Sequence, residues 1–420
     1  MWLLDKMLHR LVRGCELVLI NADGKRYTYG TPVDGQDPVI VRLADDKVAR
    51  DIARSPRLGT AEAFMDGRLI IENSDILGLL SLIRGGNVWE DGASGLEGPL
   101  WRRALSSFST WLDRFNWESR SKRNVAHHYD LDDRLYSLFL DEDRQYSCGY
   151  FIDPDESLAR AQLDKKTHIA AKLALKPGQR VLDIGCGWGG MALYLNRVAD
   201  VDVLGVTLSE EQLKVARRRA EEAGVADRVR FELVDYRAVQ GEFDRIVSVG
   251  MFEHVGPPQF TTFFRKCHSL LAPDGVMLLH TIGRMGGPGT TDAFTRKYIF
   301  PGGYIPALSE TVAASEKAKL MVTDVEVLRL HYAYTLEHWY RNTVAQRERI
   351  EQIFDARFYR LWCFYLAGAL CSFRFGGMCN FQIQYTRDRY AVPLVRDYMM
   401  LDEQRLRAEA DVRQRPPVLA

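Results

Sequence analysis

The chain has 420 residues, more than one average domain, with 46% hydrophobic and 27% charged positions, the balance of a globular protein with a sizeable core. Lysine plus arginine and aspartate plus glutamate stand at 56 each, so no overall charge draws the chain to nucleic acid. Seven cysteines with no Cys-x-x-Cys spacing speak against a disulfide framework or a structural metal, and for a reducing cytoplasm.

The first twenty residues place Asp5, Lys6, His9, Arg10 and Arg13 among apolar ones, which is not a signal-peptide pattern. Trp2, Leu3, Leu4, Met7, Leu8, Leu11 and Val12 recur at helical spacing. They predict an amphipathic helix that either packs on its own domain or lies in a lipid interface. Short strands are expected at 16–20, 25–29 and 39–43, the first two joined by Asn21-Ala22-Asp23-Gly24, with helices at 47–53, 60–65 and 76–83. Residues 1–90 thus read as a small α+β domain.

A linker is expected over 91–123. It begins with a Gly- and Ser-rich run, and continues with Trp101, Phe108, Trp111, Phe115 and Trp117 set among Arg102, Arg103, Arg114, Arg120, Lys122 and Arg123. That mixture suits an anionic membrane surface, or a solvated helix between domains. Beyond it, strands at 180–184, 201–206, 229–233, 245–249 and 276–281 alternate with helices at 191–198, 210–223 and 260–271. Such alternation builds an α/β fold with a doubly wound, mainly parallel sheet, and the second domain is drawn over 124–400. The uncharged run Leu361–Phe373, closed by Arg360 and Arg374, is too short to span a membrane and reads as a buried helix. The charged tail at 401–420 is expected to be mobile.

The strand at 180–184 runs into Asp183-Ile184-Gly185-Cys186-Gly187-Trp188-Gly189. Glycines there let the backbone turn tightly and approach a ligand. Asp183 before the first glycine favours a methyl donor, S-adenosylmethionine, over a dinucleotide. The second strand ends in Thr207-Leu208-Ser209 without the acid that usually holds a ribose at that place. Thr207 and Gln212 can supply hydroxyl and amide bonds instead, while Thr207 or Ser209 can equally cap the following helix. Asp235 and Tyr236 end the third strand, where the adenine would lie. Two neighbouring strands deliver Glu253 and His280 to their carboxyl ends, so both are expected over the crevice of the glycine loop. Taken singly, each would more often be a capping carboxylate or a satisfied core imidazole.

His128-Tyr129-Asp130-Leu131, Gln145-Tyr146-Ser147-Cys148, the glycine loop, Gly205-Val206-Thr207-Leu208-Ser209, the run from Phe243 to Gly256, Leu279-His280-Thr281-Ile282-Gly283 and Lys297-Tyr298-Ile299-Phe300-Pro301-Gly302-Gly303 together resemble cyclopropane-fatty-acyl-phospholipid synthase. The resemblance covers about residues 124–390 and extends weakly to the N-terminal unit, which is similar to a sterol-carrier-like lipid-binding domain. It implies a Rossmann-like class I S-adenosylmethionine methyltransferase domain acting on unsaturated phospholipids at the inner face of the membrane, with room for a homodimer. Methylene transfer to an acyl double bond would close a cyclopropane ring. It further implies a bicarbonate base held by Cys148, Glu253, His280, Ile282 and Tyr332. Cofactor contacts are expected from Tyr146, Ser147, Asp183, Gly185, Gly187, Gly189, Thr207, Leu208, Gln212, Asp235 and Tyr236. One position departs: Ala369 stands where relatives often carry a cysteine after Tyr365-Leu366, which opens a methyl- or methylene-branched product as an alternative. A lipid-transfer protein is the alternative outside enzymes, and the intact glycine loop argues against it.

Overall fold

The computed structural model describes residues 1–92 and 133–414. The linker and aromatic–basic stretch beyond residue 92, and the His128-Tyr129-Asp130-Leu131 motif, lie outside the described residues. Two compact units are present.

The chain opens with α1 (Trp2–Leu11), which buries Leu4, Leu8 and Leu11 and leaves Trp2 and Leu3 exposed. Strands β1 (Leu17–Ile20), β2 (Arg26–Tyr29), β3 (Val39–Leu43) and β4 (Leu69–Ile71) form a four-stranded sheet in the order β2-β1-β3-β4. Helices α2 (Asp46–Arg54), α3 (Pro56–Met65) and α4 (Ile76–Gly85) complete this α+β part. Asp45 caps α2 and Asp75 caps α4 through their carboxylates, the local reason the helices begin there.

The second unit begins with α5 (Asp133–Phe139) and α6 (Leu158–Lys172). A seven-stranded sheet follows: β5 (Arg180–Ile184), β6 (Asp202–Thr207), β7 (Val229–Leu233), β8 (Phe243–Val249), β9 (Leu271–Arg284), β10 (Met321–Leu328) and β11 (Met378–Thr386). Its order is β10-β11-β9-β8-β5-β6-β7. Strands β5 to β9 pair in parallel and β10 runs antiparallel to β11. Helices α7 (Gly190–Ala199), α8 (Glu210–Glu222), α9 (Phe260–Leu270) and α10 (Leu308–Lys317) pack around it. Because β6 and β8 flank β5 on opposite sides, the chain reverses direction of travel there. Crevices of ligand size open at the carboxyl ends of strands at such a reversal.

Helices α11 (His331–Ala345), α12 (Arg347–Ile353) and α13 (Ala356–Arg374) come next. Residues 290–301 and 332–378 belong to the first unit, whereas the linear reading kept them in the second domain. The reason is visible in α13: nearly apolar along its length, it needs partners on more than one side and packs against α3 and α4. Phe364 meets Phe64 and Phe294, Arg357 pairs with Asp66 at 2.8 Å, and the Tyr340 hydroxyl donates to Asp75 at 2.9 Å.

The tail departs from its expectation as far as Gln414, and residues 415–420 lie outside the described residues. Residues 397–414 form α14 (Asp397–Gln414), packed along α6. Glu403 and Leu406 are buried, and Arg407 binds Asp164 at 3.1 Å. Charge in residues 397–408 therefore marks ion pairing. No helix among the described residues is long and apolar enough to cross a membrane.

Candidate active site

The turn after β5 is shaped by two glycines. Gly185 sits at φ +85°, and a Cβ there would come within 2.8 Å of the Met251 Cβ. Gly187, at φ +53°, has open space where its side chain would be. The amides of Gly185 and Cys186 both donate to the Val206 carbonyl, at 2.9 and 3.1 Å, which ties the loop to β6. A cleft opens beside it, lined by Tyr146, Ser147, Asp183, Gly185, Gly187, Thr207, Leu208, Gln212, Asp235 and Tyr236 among others. Gly189 is not part of this wall. It stands at φ +83° as the residue before α7, and its α-carbon faces Phe231, 2.7 Å from where a Cβ would lie. Its place is explained by packing of helix on sheet.

The polar groups of the cleft are arranged for a small cationic ligand with hydroxyls. Asp183 is fully buried, burial pushes its carboxyl up to about 7, and its Oδ2 has no hydrogen-bond partner among the described residues. A lone buried acceptor of this kind suits an ammonium group. The Thr207 hydroxyl donates to Gln212 Oε1 at 3.0 Å and accepts from the Ser209 amide at 3.2 Å. Ser209, not Thr207, caps α8, accepting from the Gln212 amide at 3.3 Å. That leaves the Gln212 side-chain nitrogen, on the cleft wall, as a donor suited to a ribose hydroxyl. Asp235 is held by Arg237 at 2.6 and 2.9 Å, beside Tyr236. These residues fit S-adenosylmethionine by an unsatisfied acid, a glycine-cleared turn and a side-chain amide.

The acid and imidazole lie at adjoining strand ends. Val249 is the register partner of His280, and the Gly250 amide donates to the His280 carbonyl at 2.9 Å. Glu253 is buried, and one carboxylate oxygen accepts from the Ile282 amide at 2.6 Å while Oε2 has no partner among the described residues. Burial pushes its carboxyl up to about 7 against the opposing pull of that amide. His280 is held well below its usual value by burial first, with the Lys165 charge adding to it. Its Nδ1 lies 3.2 Å from the Gln382 side-chain nitrogen, and Nε2 has no partner among the described residues. Cys148 is buried and directs its thiol to the Gly149 carbonyl at 3.3 Å. Tyr332 lies in the first unit, its ring against Trp339 and Phe373.

One expectation needs correcting. Neither Glu253 nor His280 lines the cofactor cleft; His254 and Val255 do. Phe252–His254 is a single tight 3-10 turn, in which successive side chains point about 120° apart. Glu253 therefore turns to the Ile282 amide and His254 to the cleft. Burial lowers His254 to about 4, so it presents a neutral ring. Sequence reading also missed Arg144, Gln145, Met191, Arg237, Met251 and Gln259 on the wall; of these, Gln145, at the head of the Gln145–Cys148 motif, and Met251, inside the Phe243–Gly256 run, carried a signal. It missed Lys165 as well, a fully buried lysine that donates to Gln145 and Ser147.

Comparison with known proteins bears on the family and the fold. Residues 117–383 match the family described as mycolic acid cyclopropane synthetase. A probable fatty acid methyltransferase of Pseudomonas putida is 40% identical over 287 residues, 66% of this chain and 73% of that protein. The cyclopropane-fatty-acyl-phospholipid synthase of Escherichia coli strain K12 is 36% identical over 361 residues, 85% of this chain and 90% of its own. The mycolic acid cyclopropane synthase CmaA1, solved with SAH and CTAB, aligns with a TM-score of 0.60 at 34% identity, over 63% of this chain and 97% of that one. The seven-stranded sheet is that of class I S-adenosylmethionine methyltransferases, and with more than half of its length inside the family match the chain belongs to the mycolic acid cyclopropane synthetase family of S-adenosylmethionine-dependent enzymes.

Proposed function

We propose that this enzyme transfers a methylene group from S-adenosylmethionine to the double bond of an unsaturated phospholipid acyl chain and closes a cyclopropane ring, with bicarbonate as base. The observation that carries this reading is the pair of buried atoms Glu253 Oε2 and His280 Nε2, both without a partner among the described residues, at the carboxyl ends of β8 and β9, with β8 adjoining the strand that ends in the glycine turn. S-adenosylmethionine, when bound, supplies an electrophilic sulfonium methyl. An alkene is a feeble nucleophile, so the protein's share is alignment and exclusion of water. Asp183, Gln212 and the wall from Tyr146 to Ser147 would orient the donor.

The acid–imidazole pair fits a small anion. A carboxyl raised to about 7 is about half protonated at neutrality, and in that form it can donate a hydrogen bond. The Gln382 carboxamide nitrogen can only donate, so His280 Nδ1 accepts and its proton resides on Nε2. Two donors without acceptors among the described residues would hold a bicarbonate oxygen, with the Cys148 region and Ile282 shaping the pocket. A base of that size reaches a proton on the new ring carbon where a tethered carboxylate would not.

A second reading is supported by Ala369 on α13, which is small and partly exposed, while Cys371 turns to Ser81 on α4 at 3.7 Å. Without a thiol at 369, methyl transfer giving a branched chain is the alternative outcome, and a relative named as a fatty acid methyltransferase is consistent with it. Contact with the membrane surface is supported by α1, where Trp2 and Leu3 are exposed, Lys6 lies 4.3 Å from the Trp2 ring centre, and Arg10 and Arg13 are exposed.

The test is incubation with unsaturated phospholipid vesicles and methyl-labelled cofactor, followed by product analysis. Ring closure and a methylene branch both add about 14 mass units (one CH2), but only the branched product keeps an alkene. Glu253→Gln should abolish turnover while leaving cofactor affinity intact. Equal loss of both assigns Glu253 to the cofactor or the fold.

A further inference from the structure

The segment from Gln145 to Cys148 brings Tyr146, Ser147 and Cys148 to the site, yet it is neither helix nor strand. No ladder of backbone hydrogen bonds fixes it. What holds it is one face of α6. Gln162, Lys165 and Lys166 fall at i, i+3 and i+4, the spacing that aligns side chains along a helix. The Gln162 amide nitrogen donates to the carbonyls of Gln145 at 3.3 Å and Ser147 at 2.9 Å. The Lys165 ammonium donates to Gln145 Oε1 at 2.6 Å and to the Ser147 hydroxyl at 2.8 Å. Lys166 pairs with Asp143 just before the segment.

Gln162 and Lys165 are both 0% exposed. An ammonium at such depth is ordinarily paired with a carboxylate, because stripping its water is expensive. Lys165 has none within ion-pair distance among the described residues; both of its hydrogen bonds go to neutral side chains, and both of those side chains line the cofactor cleft. Burial pushes this amine down to about 7, and both of its hydrogen bonds hold one short stretch of wall.

We propose that Lys165, with Gln162 one turn earlier, is the positioning clamp of the cofactor wall: it fixes the Gln145 carboxamide and the Ser147 hydroxyl in the orientation that receives S-adenosylmethionine. This rests on the reading of the cleft as the cofactor site. Lys165 touches no reacting atom and acts through Ser147 and Gln145.

Calorimetric titration with S-adenosylhomocysteine tests it on the full chain. The parent protein should bind; a parent that does not bind overturns the cleft reading and the clamp together. Lys165→Met keeps the length and removes the charge, and should raise Kd by about tenfold or more, with KM for S-adenosylmethionine rising in parallel. Ser147→Ala in the Lys165→Met background should add little to that loss, because the lysine acts through the hydroxyl. Gln162→Leu alters a side chain outside the cleft wall and keeps the test open should Lys165→Met not fold; it should raise Kd by about threefold or more. A parent that binds, with either folded single variant within twofold of its Kd, overturns the clamp, as do fully additive losses in the Lys165–Ser147 pair.

Discussion

Gln382 on β11 places its side-chain nitrogen 3.2 Å from Nδ1 of His280 on the neighbouring strand β9. The bond fixes the ring's tautomer and puts the proton on Nε2, which has no partner among the described residues. Gln382→Leu removes the fixing group without touching the cofactor cleft. Turnover should fall by about tenfold or more, as for other residues that orient a functional imidazole, while the Kd for S-adenosylhomocysteine stays within about twofold of the parent value. Steady-state rates beside calorimetry check this; unchanged turnover would make His280 a space-filling residue.

Glu253 should reduce stability where its carboxyl is forced to ionise. Its ordinary value is 4.5 and burial raises it to about 7. Below about pH 4.5 it is protonated in both states and contributes no difference. As pH rises toward 7 the unfolded chain ionises first, which favours unfolding, and the effect levels off above 7. Glu253→Gln cannot ionise and keeps an oxygen for the Ile282 amide. The variant should match the parent near pH 4.5 and exceed it above pH 7, by about 3 kcal/mol at most. Urea unfolding across this range checks the sign; a variant less stable than the parent at pH 8 would contradict it.

Much of the parallel sheet is legible in the sequence. The parallel strand at 180–184 falls where its apolar run predicts it, because a strand buried on both faces has few other ways to read; the edge strand at 229–233 is read instead from buried Val229 and Phe231 alternating with exposed Arg230 and Glu232. Strand β11 was not legible. Asn380, Gln382, Gln384 and Thr386 alternate with Phe381, Ile383 and Tyr385, a pattern that promises one solvated face, yet all are buried. The polar face is consumed by His280 and by the Lys172 carbonyl, which accepts from Gln384 at 2.5 Å. Those partners are remote in sequence, so no local pattern announces them. The same holds for Lys165, whose helix looks solvated by composition and is buried by context.

Gly189 separates packing from ligand binding. Its φ of +83° and the Phe231 ring 2.7 Å from a would-be Cβ mean that alanine there adds backbone strain and overpacking. Gly189→Ala should lower stability by about 2–4 kcal/mol. Because the residue does not line the cleft, protein that remains folded should bind S-adenosylhomocysteine within about threefold of the parent. Adding Phe231→Leu should recover part of the lost stability, since it removes the clash but not the strain. Thermal melts with and without the ligand check both statements, and a lost Kd at full stability would return Gly189 to the cofactor.

The last helix is held by a buried imidazole. His168 on α6 lies 2.7 Å from Glu326 on β10 and 2.9 Å from Glu403 on α14. Burial alone would lower the imidazole, but the two carboxylates outweigh it and its value rises. Burial would likewise raise Glu326, yet His168 and Lys172 hold it at about 2. The histidine's contribution is full below its unfolded value of about 6.5 and is lost as pH rises through the higher folded value. The Glu326 contribution is full above about 4.5 and is lost as pH falls toward 2. Between about pH 5 and 6.5 both are present, so His168→Gln should destabilise most there, by about 3 kcal/mol, and less at pH 9. Hydrogen exchange should rise first in residues 397–408, as α14 loses its hold on α6. A penalty that does not change from pH 5.5 to pH 9 would show that His168 acts by packing alone.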